Sequence, residues 1–392
     1  MTSSTTAAIT GSWTTTGALP AAGSWSGQHD GAVLLADGTV LLAGGADASS
    51  AALARAARYD PATGRWTATG ALRTPRRLHT ATRLANGKVL VAGGTSVGTQ
   101  FPPPGLAAAE LYDPATGTWT ATGGLRTPRW GHSAVLLPDG SVLVAGGTGI
   151  RSGQSVTALR SAERYRPDTG TWTELAPMTD ARTGHPAVVL ANGRVLVIGG
   201  SVPTARDTDA ALAFCELYDP ATNAWTPTGN LLAPRSRHQA VLVSTTSVLV
   251  TGGSAPGAAG DGTFDPFSRA SAELYNQNSG TWSAAAAMPA GRGLHRAVPL
   301  GSGKVLVVGG VDSVRNAVGY ESALVYDATA NTWSAAAGLA TGRWAFAATA
   351  LADRRVLVTG GVTRTGLAAA SGEGAELTAG TEVFTLTGTG TP

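Results

Sequence analysis

Seven Gly-Gly pairs punctuate the chain at intervals near fifty residues: Gly44-Gly45, Gly93-Gly94, Gly146-Gly147, Gly199-Gly200, Gly252-Gly253, Gly309-Gly310 and Gly360-Gly361. Each closes a short apolar run such as Val142-Leu143-Val144-Ala145. A fixed period of this length marks a repeat architecture, in which no unit is large enough to bury its own apolar faces. The units must stack on one another. A chain of 392 residues would otherwise suggest two or three domains; the repeat predicts one body spanning residues 1–392.

The unit beginning at Arg129 shows the local pattern. Arg129-Trp130-Gly131-His132 leads into a first β run from Ser133, and Asp139-Gly140 supplies the signal of a tight hairpin. The run to Ala145 is the second strand. After the glycines comes a polar loop over residues 148–161, a third strand around Glu163 to Tyr165, and a turn ending at Gly170. Trp172 begins the fourth strand. Apolar residues do not recur at helical spacing, so four short antiparallel strands per unit is the reading. Seven such sheets set radially make an all-β, seven-bladed propeller, an arrangement that leaves only short protected edges.

The two termini fit a closed ring. Trp66, Trp119, Trp172, Trp225, Trp282 and Trp333 are the fourth-strand tryptophans of six units, whereas the seventh ends at a third strand containing Phe384. Trp13 lies one repeat before Trp66. Residues 10–16 are therefore expected to supply the fourth strand of the closing blade.

Composition narrows the function classes. With 43% apolar and 14% charged residues the chain reads as folded rather than disordered. A net charge of +3 with no basic run argues against nucleic acid. No apolar stretch is long enough to span a membrane, and the first residues lack the features of a signal peptide. A cytoplasmic or mature secreted monomer is expected. Cys215 is the single cysteine, so no internal disulfide can form.

Two glycines after an apolar strand, followed by Tyr-Asp-Pro-Ala-Thr-Gly-x-Trp as at Tyr59 to Trp66 and Tyr112 to Trp119, resemble the kelch repeat. The resemblance covers nearly the whole chain and implies the same seven-bladed propeller. Unit five departs with Ser244-Thr245-Thr246-Ser247 at its hairpin, and unit seven with Phe384 for tyrosine.

Tight turns crowd one face of such a ring. The other face carries long, dissimilar loops over residues 95–109, 148–161, 201–214, 254–271 and 311–322. Variable loops on a rigid scaffold are where binding concentrates, so this face is the candidate. Arg76, Arg129, Arg182, Arg235, Arg292 and Arg343 share one repeat offset, with Ser26 taking that place in unit one. They are expected where the first strands begin, at the channel mouth, where guanidinium groups suit carboxylates, phosphates or sugar hydroxyls. Kelch members that bind acidic peptides use arginines at this kind of position. The competing reading is that most of them cap strands or bond to loops.

Trp25, Trp130 and Trp344 lie off the repeat beside that offset, and Tyr320 lies on a long loop; all four are binding candidates, with loop packing as the alternative. Phe101, Phe264 and Phe267 are weaker ones. His29, His79, His132, His185, His238 and His295 share a second offset and read as packing residues between blades rather than metal ligands. Asp30 and Arg296 follow two of these histidines as unusual inner-strand charges, and Asp30 is the sole weak candidate for a titratable catalytic group.

The leading expectation is a binding protein whose Arg- and Trp-lined mouth takes a small molecule, carbohydrate or acidic peptide, with no metal and no cofactor. The alternative is an enzyme acting on a sugar-like metabolite at the same mouth. Kelch-type copper-dependent sugar oxidases need histidines outside the repeat and a cysteine linked to tyrosine, which this chain does not match; kelch-type sugar epimerases show that a metal-free mouth can catalyse.

Overall fold

A computed structural model describes residues 11–25, 31–96, 104–151, 155–205, 208–255, 268–312, 317–370 and 374–387. Seven four-stranded antiparallel sheets account for the repeats. Blade 1 runs outward through Ala32–Leu34, Val40–Ala43, Ala56–Asp60 and Arg65–Thr69, and the next five blades follow the same order. The innermost strands of successive blades touch one another, and that of blade 7 (Ala347–Ala350) touches that of blade 1. The ring is closed. Among the described residues no helix is long and apolar enough to cross a membrane.

Blade 7 is completed from both ends of the chain. Gly11–Thr16 pairs antiparallel with Thr381–Leu386, placing Trp13 opposite Phe384. The Trp13 indole also donates to the carbonyl of Ala337 in blade 6 at 2.8 Å, and Thr16 Oγ1 lies 3.0 Å from the hydroxyl of Tyr59 in blade 1.

Burial explains the strand sequences. Second strands such as Val142–Ala145 are apolar at every position because neighbouring blades cover both faces. The glycine pair ends them for a steric reason. Gly146 and Gly147 have φ of 62° and 94°, and a Cβ on Gly146 would lie 2.6 Å from Cε1 of His185 in the next blade. Only glycine gives both the left-handed backbone and that close approach.

The outer strands are stitched by aromatics. Tyr165 and Trp172 stack tilted at 5.1 Å between centroids, and the Trp172 indole donates to the carbonyl of Gly123 in blade 2 at 2.7 Å.

Two of the long loops, and the corresponding segment of blade 7, are more ordered than the sequence suggests. Thr148–Arg151 with Ser155–Ala158, Ser201–Ala205 with Thr208–Ala211, and Val362–Thr365 with Ala375–Leu377 form two-stranded ribbons on blades 3, 4 and 7. Each starts just after a Gly-Gly pair, where residue 148, 201 or 362 bridges to the segment leading into the inner strand. That bridge recurs around the ring, so a ribbon is its outward continuation.

Candidate functional site

The repeat arginines do not line an open mouth. All six are buried, and five are spent on a glutamate of the third strand in the same blade. The pairs are Arg76–Glu110 at 2.6 Å, Arg129–Glu163 at 2.8 Å, Arg182–Glu216 at 3.0 Å, Arg235–Glu273 at 2.6 Å and Arg343–Glu382 at 2.7 Å. Nη1 of each guanidinium also donates to two backbone carbonyls; for Arg129 these belong to Gly146 and Ser161. The glutamates accept backbone N–H groups of the incoming loop, as Glu163 does from Arg126 and Thr127. A buried charge is tolerated when it is paired and fully hydrogen-bonded. These arginines fasten each blade's long-loop end, so the expectation of a ligand-facing ring gives way to an internal strut.

Blades 1 and 6 break this pattern. In blade 6, Leu324 stands where the others have glutamate, and among the described residues Arg292 has no carboxylate partner. Burial lowers its pKa to about 10. In blade 1 the register also differs from the sequence alignment. The Gly361 N–H donates to the carbonyl of Gly23 just as Gly94 donates to Arg129 and Gly310 to Arg343. Gly23, not Ser26, therefore takes the arginine's place. Arg55 reaches over from the other side of the blade and donates to the carbonyl of Ala22. His29, Asp30, Ser26, Phe101, Phe264 and Phe267 lie outside the described residues.

The three off-repeat tryptophans are buried, not exposed. Trp25 lies against Gly360, as the repeat histidines lie against the equivalent glycines, and so fills the imidazole's slot at the seam between blades 7 and 1. Trp130 bridges to Thr148 at the base of the blade 3 ribbon. Trp344 centres a small apolar cluster with Val311, Ala317 and Val362 that seats the loops of blades 6 and 7. Tyr320 is half-buried, its ring 5.4 Å from the Arg292 guanidinium carbon.

The described histidines pack between blades. His132 Nε2 sits 3.0 Å from Thr80 Oγ1, and His185 Nε2 3.0 Å from Ser133 Oγ. His238 lacks such a partner at either nitrogen, because Pro186 occupies the place of those hydroxyl residues. Burial, with a neighbouring arginine, lowers His79 to about 3 and holds His238 and His295 well below the usual imidazole range. Among the described residues no group of three or more His, Cys, Asp or Glu stands together as a metal site. Cys215 is fully buried and its thiol is pushed up to about 11 by burial.

The mouth itself is built at a different offset, two residues after the repeat arginine. Leu78, Gly131, Gly184, Arg237, Leu294 and Ala345 all have φ between 49° and 61°. Their N–H groups link blade to blade: Gly131 to the carbonyl of Leu78, Gly184 to Gly131, Arg237 to Gly184 and Ala345 to Leu294. Trp25 then donates to Ala345 across the closing seam. Left-handed backbone at non-glycine residues costs about 1–3 kcal/mol each and persists only where the surroundings over-determine it. Arg237 projects from this ring with its side chain exposed.

Beside the ring, between blades 7, 1 and 2, lies a cavity of about 230 Å³. Ser24, Trp25, Ser50, Arg77 and His79 supply one wall and Val362, Ala375 and Leu377 the other. Asp47 also borders it, but its carboxylate caps its own loop through Ser49 and Ala51. Arg77 is half-buried, and burial lowers its pKa. A second cavity of about 310 Å³ follows the axis between the inner strands of blades 4 to 7, with Gln239 and Thr349 among mostly small apolar residues.

Residues 129–179 match the Kelch motif family model, and these are the residues of blade 3 with its leading arginine. The chain carries the Kelch motif and is similar to kelch-repeat β-propellers. Human Kelch-like protein 34 is 30% identical over 207 residues, 53% of this kelch propeller and 30% of that protein. Kelch-like protein 36 of Rattus norvegicus is 28% identical over 282 residues, 71% of this chain and 42% of that protein. This kelch propeller thus spans less than half the length of either curated relative. A fungal alcohol oxidase solved in complex with copper superposes with a TM-score of 0.72 over 96% of this chain and 76% of that one, at 19% identity. That likeness is one of fold.

Proposed function

We propose that this kelch propeller is a binding module whose long-loop mouth takes an acidic or polyhydroxyl ligand, a peptide segment or a carbohydrate, with Arg77 and Arg237 as its cationic anchors. The observation that carries the reading is the strained left-handed ring, with one arginine projecting from it and another half-buried in the adjoining cavity. Guanidinium groups next to hydroxyls and an apolar wall match ligands that combine carboxylates or hydroxyls with a hydrocarbon face. The opposite face consists of similar tight turns.

The test is a panel of acidic peptides and neutral and acidic oligosaccharides titrated calorimetrically against the full chain and against the R77A/R237A double variant. Loss of two charge-assisted contacts should weaken the best ligand by at least tenfold. Unchanged affinity for every ligand that binds would overturn the assignment.

A further inference from the structure

Arg292 differs from the other five repeat arginines in what its donors reach. A guanidinium carries five N–H groups. Nη1 of Arg292 donates to the carbonyls of Gly309 (3.0 Å) and Ser322 (3.2 Å), and Nη2 donates to Ser322 Oγ (3.0 Å). Nε has no acceptor. In blade 3 the same five donors are all spent, on Thr127, Gly146, Ser161 twice, and Glu163. Arg292 therefore keeps two donors unspent, on Nε and Nη2, as Arg76 and Arg182 also do. What sets it apart is that among the described residues none of its N–H groups meets a carboxylate, whereas Nη2 of Arg76 and Arg182 is held by Glu110 and Glu216. Nε and Nη2 form the side of the guanidinium that grips a carboxylate through two oxygens.

The loss of the glutamate is matched elsewhere in the blade. The loop N–H that each glutamate accepts three residues before its arginine (Arg73, Arg126, Thr179, Leu232 and Ala340) is absent here, because that residue is Pro289. Blade 6 has dropped the internal carboxylate and its second anchor but retained the buried cation. An isolated buried charge is costly, and what relieves it is an anion. Tyr320 covers the guanidinium, and its backbone is pinned on both sides, by the Gly310 carbonyl and the Arg343 N–H. Its half-buried side chain is the element that must turn aside.

We infer that Arg292 is the receptor for a single carboxylate from outside the chain, admitted past Tyr320 on the long-loop face of blade 6. The site is on the opposite side of the closing seam from Arg77 and stands without the cavity reading above. A ligand carboxylate supplies the negative charge that Glu163 or Glu216 gives the other blades, while Leu324 fills the glutamate's own position, so an internal glutamate should make the ligand redundant.

Thermal unfolding of the full chain is followed during titration with sodium acetate and, separately, sodium chloride, for the natural protein and for Leu324→Glu. General salt effects act on both alike. The natural protein should show a saturable rise in Tm with acetate, exceeding that of the variant by roughly 2 °C. Parallel acetate curves would overturn the inference, and so would a chloride response equal to that of acetate. Arg292→Lys keeps the charge but removes the two-nitrogen grip, and should lose the acetate response. Should Leu324→Glu not fold alone, Pro289→Ala with Leu324→Glu restores the N–H that the other glutamates receive, and the same comparison decides.

Discussion

The hydroxyl of Tyr218 donates to Oδ1 of Asn223, 3.1 Å away in the same blade. In blades 2, 3 and 5 the equivalent tyrosine instead meets a threonine of the preceding blade: Tyr112 with Thr69, Tyr165 with Thr122 and Tyr275 with Thr228. Leu175 fills the threonine's place before blade 4, and Asn223 replaces the turn glycine found at Gly117, Gly170 and Gly280, with φ of 51°. Its Oδ1 also accepts the N–H of Ala176, a bond that elsewhere goes to the glycine's carbonyl. Blade 6 makes the same exchange, Tyr326 donating to Asn331 at 2.8 Å. Asparagine is the residue that tolerates left-handed backbone while supplying an acceptor.

Asn223→Gly should accordingly destabilise the protein by about 1 kcal/mol, since it strands the Tyr218 hydroxyl. Leu175→Thr on that background should recover most of the loss by rebuilding the arrangement of blade 3. Urea unfolding midpoints of the single and double variants check both halves; additive losses would refute the exchange.

The Arg–Glu struts make a sharper forecast. Arg182 and Glu216 are both fully buried, and removing either alone leaves an uncompensated charge, at a cost of about 3–5 kcal/mol. Arg182→Met with Glu216→Leu should cost markedly less than the sum of the single changes. A double-mutant cycle by denaturant unfolding measures the coupling, and additivity would show that the pair is not the strut described.

Which parts of this were legible beforehand follows from where the information resides. The blade count, the Gly-Gly turns and the partnering of Trp13 with Phe384 are set by local pattern, and periodicity exposes local pattern. The fate of the arginines is not local. Arg129 reads as a ligand-facing cation until Glu163, thirty-four positions on, is seen to take its Nη2, although the glutamate recurs with the same regularity and could have been read as its mate. Trp25 misled for another reason: the lead-in to blade 1 is offset by three residues, so aligning His29 with His79 placed Ser26 where the fold puts Gly23. The mouth ring at Leu78, Arg237 and Ala345 leaves no trace in residue type, because its common property is a backbone angle.

Closure from two termini predicts complementation. The first strand contributes the Trp13–Phe384 contact at 5.1 Å between centroids and the Thr16–Tyr59 contact. Removing residues 1–17 leaves blade 7 with three strands and an exposed edge, a liability for pairing with other chains. The truncated protein should unfold at lower temperature and self-associate, and a synthetic peptide of residues 8–18 should restore both properties. Trp13→Ala in the full chain should cost about 2 kcal/mol. Sedimentation and calorimetry read the outcome, and a truncated chain as stable as the natural one would show that closure depends on the inner strands alone.

Acid should weaken the fold well before its carboxylates titrate. His79, His238 and His295 are held neutral in the folded state by burial, His79 down to about 3 and the others well below 6.5. In the unfolded chain they take up protons near pH 6.5. A base whose folded pKa is depressed stabilises the fold above its unfolded value and loses that contribution as pH falls toward the folded one. Between pH 7 and pH 5 each histidine should therefore remove about 2 kcal/mol. Asp37 and Asp139, whose pKa values are lowered from 3.8, act only at more acidic pH. Replacing His238, the one described histidine with neither nitrogen bonded, by phenylalanine borrows the residue that blade 7 uses at this offset, Phe346. His238→Phe should flatten the decline by one histidine's share while leaving stability at pH 8 nearly unchanged. Urea unfolding across pH 5 to 8 measures the slope, and an identical slope in the variant would mean that His238 is protonated in the folded protein.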